Sequence, residues 1–316
     1  MRVLVTGADG FVGRYLVRRL VGAGDVVGAA CRPVGHRVDW SAVAPGAAVE
    51  PIPFEITDAE SVEGALGWRP EAVIHLAAVA STREARRDPA AAWLVNAVGT
   101  SRLVAAAAGL RESGAGDPLV LVVSSGEVYG AGPRTARVES DPLLPQSPYA
   151  ASKVAAEVAA MEAWRRTGLR VVVARPFTHT GPGQTTVYVL PGWVERLREA
   201  KVSGAAVVST GNLEPVRDLL DVRDVVDAYR LLVAHGTPGE VYNVSRGEGS
   251  SLAELFDRLR GVIGTVAAPC PDPSLMRGND IPYLVGDSTK LRRATGWTPA
   301  ITLQQTLQEL VDAQAD

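Results

Sequence analysis

Short apolar runs alternate along this chain with longer segments whose apolar residues recur at helical spacing. Residues 2–6, 26–31, 72–76, 119–124 and 169–175 are short and rich in β-branched or apolar side chains, and read as strands. Residues 11–21, 60–66, 96–111, 148–166 and 222–234 carry the helical period. Such alternation builds βαβ units with parallel strands. The runs VLVT, AVIHLAA and LVLVVSS are apolar almost throughout rather than at every second position, the pattern of strands covered by helices on both sheet faces. The reading is an α/β fold with a doubly wound parallel sheet. After Pro176 the texture breaks into Gly/Pro-punctuated pieces, THTGPGQ, STGNLEP and AAPCPDPS. We therefore expect a dinucleotide-binding domain over 1–175, with a return segment at about 212–236, and a smaller α/β substrate domain in the remainder of 176–316.

Composition narrows the function classes. At roughly 150 residues per domain, 316 residues suit two domains, and 47% hydrophobic with 21% charged residues is the balance of an ordered globular chain. Lys plus Arg is 32 against 35 for Asp plus Glu, a net charge of -3, which argues against nucleic acid or an acidic membrane as partner. The longest uninterrupted apolar runs, such as 104–108, fall short of the ~18 residues of a membrane helix, so none is expected. The opening MRVLVTGADGFVG lacks the features of a secretory signal, so the mature chain is expected to start at Met1. Cys31 and Cys270 are too few for a disulfide framework, which suits a reducing cytoplasm. The four histidines show no ligand spacing, and no metal is expected.

The first predicted strand runs directly into Gly7-Ala8-Asp9-Gly10-Phe11-Val12-Gly13, which opens the first helix. Spacing is Gly-x-x-Gly-x-x-Gly, at the turn where Rossmann-type sheets bind dinucleotides. Bare Cα atoms at Gly7 and Gly10 would let a pyrophosphate approach the helix N-terminus, and Gly13 would let helix and strand pack closely. The second predicted strand ends Ala29-Ala30-Cys31-Arg32, where an NAD site would carry Asp or Glu. A guanidinium accepts a 2′-phosphate and a carboxylate repels it, so NADP(H) is favoured over NAD(H); an ordinary surface arginine is the other account of Arg32. Glu55, Ile56, Thr57 and Asp58 follow the third strand and either reach the adenine or cap the next helix.

Tyr149 and Lys153 stand at i and i+4 on the helix opening near Pro148, so they share a face. An ammonium beside a phenol is expected to lower the phenol pKa from about 10 toward neutral. By itself this spacing is as well explained by a packed Tyr and a solvated Lys. Ser124-Ser125-Gly126-Glu127, at the carboxyl end of the 119–124 strand, adds a hydroxyl where open α/β sheets bind ligands.

Taken in order, TGADGFVG, HLAA at 75–78, Asn96, SSGEVYG, YAASK and RPF at 175–177 resemble the extended short-chain dehydrogenase/reductases acting on nucleotide sugars. The resemblance implies a catalytic triad of Ser125, Tyr149 and Lys153, with Tyr149 as acid or base at a sugar carbonyl or hydroxyl. It also implies a cofactor path along Leu76, Ala77, Ala78 and Asn96. RPFTHTGPGQ, GNLEPVRDLLDVRDVVDAY, YNVSRGEG and MRGNDIPYLVGDSTKLRRATGWTP further resemble the GDP-4-dehydro-6-deoxymannose reductases of that family. By that likeness Arg217 and Arg277 hold a nucleotide diphosphate, and Glu127 and Thr178 face the sugar. Thr178 stands where the family usually has Asn. Dehydratases of the wider family carry Thr-Asp-Glu or Thr-Ser-Glu where this chain has Ser125-Gly126-Glu127.

The resulting expectation is an NADPH-dependent reductase of the C4 ketone of a nucleotide-linked 4-keto-6-deoxyhexose, GDP-linked and giving a GDP-rhamnose-type product. The family also implies a homodimer packed through the 96–111 and 148–166 helices. An NAD-dependent 4-epimerase or 4,6-dehydratase is the alternative enzyme, and a non-catalytic dinucleotide-binding module is the alternative outside enzymes.

Overall fold

The computed structural model describes residues 1–33, 38–46, 48–276 and 280–313. Among these residues the large sheet has seven strands: β1 (Arg2–Thr6), β2 (Val26–Cys31), β3 (Val49–Pro53), β4 (Ala72–His75), β5 (Leu119–Val123), β6 (Val171–Pro176) and Val241–Val244. All pairings are parallel, in the order β3-β2-β1-β4-β5-β6 and then Val241–Val244. Strand order reverses between β1 and β4, which opens a crevice at their carboxyl ends.

Both faces are covered, as the uniformly apolar strands require. On one face α1 (Phe11–Gly22) and the helix Val222–His235 bury Leu16, Leu20, Val225 and Tyr229 against Val3, Val5 and Leu121. On the other, Val62, Leu66, Leu103, Ala107 and Ala160 pack onto Leu4, Val73, Val120 and Val173. Each fully buried Val or Leu contributes about 1.5–3 kcal/mol. The return to the large sheet comprises Val222–His235 and the strand Val241–Val244, while Val216–Asp221 lies in the smaller sheet.

In that smaller sheet Val216–Asp221 pairs with Thr178–Thr180, Gly249–Ser251 and Tyr283–Leu284. The helices Val189–Ser203, Leu252–Ile263 and Leu303–Asp312 bury Trp193, Phe256 and Leu310 in a separate core. Residues 178–180 and 217 thereby face the carboxyl ends of the large sheet across the crevice.

One helix runs unbroken from Pro89 to Glu112, 24 residues within which an 18-residue stretch has a mean hydropathy of 1.2, long and apolar enough by length and composition to cross a membrane. Its uninterrupted apolar runs still fall short of ~18 residues, because Asn96, Thr100 and Arg102 interrupt them without interrupting the helix. Asn96 and Thr100 are buried, and the helix covers the sheet. Between Trp93 and Val98 it widens into a π-turn.

Candidate active site

A cleft of about 1460 Å³ runs along the carboxyl ends of the strands and under the smaller sheet. Ligand pockets commonly hold ~300–1,000 Å³, so this one has room for two ligands. Gly7, Gly10, Phe11, Val12, Gly13, Arg32, Glu55, Ile56, Leu76, Ala77 and Ala78 line one arm. Ser125, Glu127, Tyr149, Thr178 and Arg217 line the part between the sheets. Lys153 and Asn96 do not reach the wall, and Arg277 lies outside the described residues.

The glycine loop fits a pyrophosphate, though its glycines divide the work differently from the sequence reading. Gly10 is the N-cap of α1 and provides no side-chain cap, so the first amides of a 12-residue helix open on the cleft. Gly7 has φ +67°, and a Cβ there would lie 2.9 Å from the Ala77 nitrogen. Its bareness therefore serves backbone packing against the segment after β4, besides any approach by phosphate. A Cβ on Gly13 would lie 2.3 Å from the Gly7 carbonyl oxygen. The loop is further tied to β2 by the Gly7 amide, which donates to the Ala30 carbonyl at 2.9 Å.

At the ribose end, Arg32 is exposed on the cleft wall just past β2. The Glu55 carboxylate accepts from the Thr57 amide at 3.0 Å and the Thr57 hydroxyl at 2.8 Å. Asp58 caps the helix Ala59–Leu66 through the Glu60 amide. Of the two accounts of this segment, capping holds for Asp58, while Glu55 and Ile56 remain on the wall.

Ser147 caps the helix Pro148–Thr167, accepting from the Ala150 amide, and Pro148 fills its first turn, where a missing N–H costs nothing. The same helix carries Tyr149 and Lys153 inward, both buried. Ser125 follows β5; its hydroxyl accepts from the Glu127 amide at 3.1 Å and is hydrogen-bonded to the Tyr149 side chain. Thr82 donates to the Glu127 carboxylate at 3.3 Å. Tyr149 and Ser125 thus meet at one point of the cleft.

The electrostatics correct one expectation. Burial first, and the Glu127 charge second, push the Tyr149 phenol above its ordinary value of 10; the Ser125 hydrogen bond pulls the other way. Lys153 does not lower it: its Nζ donates to the Val123 carbonyl at 2.9 Å. Burial lowers the Lys153 ammonium from 10.5 to about 8, against the raising effect of Glu157. Tyr149 is therefore a protonated phenol at neutral pH, a proton donor rather than a resting phenolate.

Behind the cleft wall lies support that no motif announced. Asn96, expected on the cofactor, instead accepts from the Val79 amide at 2.8 Å and donates to the Val79 carbonyl and to Ser152. It holds the segment after β4 against the helix Pro148–Thr167. His75 is clamped between the Thr6 hydroxyl at 2.8 Å and the Thr100 hydroxyl at 3.2 Å. Burial and the Lys153 charge lower its pKa from 6.5 to about 3. The folded chain cannot take up the proton that the unfolded chain binds below pH 6.5, so stability falls as pH drops through that value. Denaturant midpoints measured between neutral and acid pH should decline, and less steeply in His75→Gln. Tyr188 and His179 also line the cleft; His179 sits in a resemblance motif, whereas Tyr188 precedes an ordinary helix and gave no signal. Among the described residues no cluster of three or more His, Cys, Asp or Glu side chains is placed to hold a metal.

The sequence pattern of the NAD dependent epimerase/dehydratase family matches residues 3–245. The chain is 34% identical over 313 residues to the GDP-6-deoxy-D-mannose reductase of Pseudomonas aeruginosa, covering 98% of this chain and 96% of that protein. It is 33% identical over 315 residues to the UDP-glucose 4-epimerase of Mycolicibacterium smegmatis, covering 99% and 98%. The solved structure of RMD from Pseudomonas aeruginosa complexed with NADPH superposes with a TM-score of 0.83 at 34% identity, over 99% of this chain and 98% of that one. The chain belongs to the NAD dependent epimerase/dehydratase family.

Proposed function

We propose that this family member is an NADPH-dependent ketoreductase acting on the C4 carbonyl of a nucleotide-linked 4-keto-6-deoxyhexose, with GDP-4-dehydro-6-deoxymannose as substrate and a GDP-rhamnose-type product. The observation that carries reduction over dehydration is Gly126. Eliminating water needs an acid for the departing hydroxyl as well as a base. Between Ser125 and Glu127 the chain has no side chain, and a Cβ there would meet the Phe177 ring at 3.1 Å. Simple reduction needs one proton donor, and the protonated Tyr149 is one.

When bound, the reduced nicotinamide supplies a hydride. The rest falls to the chain. Gly10 and the start of α1 receive the pyrophosphate, and Arg32 receives the 2′-phosphate. Ser125 uses its own proton to polarise the substrate carbonyl, since its oxygen already accepts from Glu127. Tyr149 gives its proton to the forming alkoxide, and Lys153, donating to the Val123 carbonyl, ties the helix that carries Tyr149 to the end of β5 that leads into Ser125. Arg217, whose Nη1 is braced by the Val216 and Ile281 carbonyls, turns toward the nucleotide diphosphate.

Purified protein given NADPH and GDP-4-dehydro-6-deoxymannose is expected to consume the two in equal amounts; folded protein that leaves the reduced-nicotinamide absorbance unchanged overturns the reading. The Arg32 assignment has its own check. NADPH should raise the melting temperature more than NADH at equal concentration, because only the bound folded state is stabilised. Arg32→Glu should reverse the order, and an unchanged order would remove Arg32 from the site. The 33% identity to a UDP-glucose 4-epimerase favours a second reading, a 4-epimerase, which shares Ser125 and Tyr149 but would keep NAD bound through purification.

A further inference from the structure

Behind the end of β5 is a buried polar cluster that none of the steps above uses. Glu157 lies on the catalytic helix one turn beyond Lys153, and Arg175 lies on β6; each is 4% exposed. Arg175 donates from Nε and Nη2 to the two Glu157 oxygens at 2.9 and 2.7 Å, a bidentate fork. The Ser124 hydroxyl donates to the same carboxylate. Arg175 Nη1 donates to the Tyr129 hydroxyl at 2.9 Å and the Glu139 carbonyl at 3.2 Å, and Tyr129 donates to Asn243 at 2.7 Å. The catalytic helix, the end of β5 that leads into Ser125 and β6 are thereby joined at one carboxylate, and the Val241–Val244 strand is tied to it through Tyr129 and Arg175.

Stability alone is a weak reason for such a pair, since apolar replacements of buried ion pairs are often neutral or better. Its placement suggests another. Lys153 is buried, with Glu157 and Tyr149 on its own helix, neutral His75 on β4 and the Val123 carbonyl on β5. We infer that Glu157, oriented by Arg175 and Ser124, is the positioning residue and counter-charge of Lys153. The fork fixes the carboxylate, so it stays one turn from the lysine and cannot swing to solvent. Burial works against the ammonium and the Glu157 charge sustains it, which leaves Lys153 titrating at about 8. This inference rests on the reading of Lys153 as part of the catalytic group.

Only three lysines occur in the chain, Lys153, Lys201 and Lys290, so lysine labelled with ¹³C at Cε gives three signals to titrate in the full-length protein. Glu157→Gln strands a buried guanidinium and endangers folding. The double variant Glu157→Gln with Arg175→Met removes both charges, and its fold is checked by circular dichroism and melting. In every folded variant lacking Glu157 the Lys153 midpoint should fall by a pH unit or more, a tenfold larger ratio of neutral to charged lysine at fixed pH, and the alkaline limb of turnover should move with it. If Glu157 only packs, the folded double variant titrates like the parent protein, and the inference is overturned. The NMR titration needs no substrate. Midpoints that move as expected in a protein without ketoreductase turnover would sink the proposed reaction and keep the counter-charge.

Discussion

Tyr149→Phe is expected to reduce ketosugar turnover by about 10²–10⁴-fold, the usual worth of a positioned proton donor. The ring remains in its small apolar cluster with Ala85 and Ala92, so melting temperature and KM should change little. What disappears is the hydroxyl that meets Ser125 in the cleft. The upward shift of the phenol adds a sign to the prediction. Burial and Glu127 keep the acid form populated across neutral pH, so ionisation of Tyr149 imposes no loss of rate there. Steady-state kinetics of the variant and parent protein, with melting curves for both, decide the matter. Turnover within a few-fold of the parent would remove Tyr149 as the donor.

Gly13→Ala should be the more damaging added methyl of the two helix-side glycines of the loop, Gly10 and Gly13. Its Cβ would lie 2.3 Å from the Gly7 oxygen and 2.6 Å from the Ala8 oxygen, both backbone atoms that cannot rotate aside. Overpacking typically costs about 1–3 kcal/mol. The strain falls on the turn that presents the α1 amides, so NADPH binding should weaken by more than tenfold, about 1.4 kcal/mol, as well. Gly22→Ala is the control: it lies near the end of the same helix with nothing within 4 Å of its added Cβ. There Ala should be neutral or stabilising by up to ~1 kcal/mol. Chemical denaturation and NADPH titration of the two variants separate a steric effect from a generic glycine effect. Equal behaviour of the two would contradict the packing described for the loop.

Much of the site was legible because its residues sit at strand ends and helix starts, which periodicity locates well. Ser125 could be placed at the end of β5 and Tyr149 at the first turn of a capped helix, and a doubly wound sheet brings those two points to one crevice. The glycine spacing was legible, whereas Gly7 abutting Ala77 was not, since that contact joins the segments that follow two different strands, β1 and β4. The π-turn at Trp93–Val98 leaves no mark on a 3.6-residue period, and it presents Asn96 to Val79 rather than to a cofactor. The strand Val241–Val244 has one apolar partner strand and a four-residue span, too short for alternation to identify. The direction of the Tyr149 shift was misread because spacing gives the neighbour of a group and says nothing of how deeply both are buried. Burial outweighed the charge at i+4.

The most direct measurement uses NADPH deuterated at the transferable position of nicotinamide C4, incubated with the protein and GDP-4-dehydro-6-deoxymannose. The account predicts one deuterium at sugar C4 for each NADPH consumed, read by NMR and mass spectrometry of the GDP-6-deoxyhexose formed. A product without deuterium, or sugar conversion with no NADPH consumed and NAD retained on the protein, would contradict it.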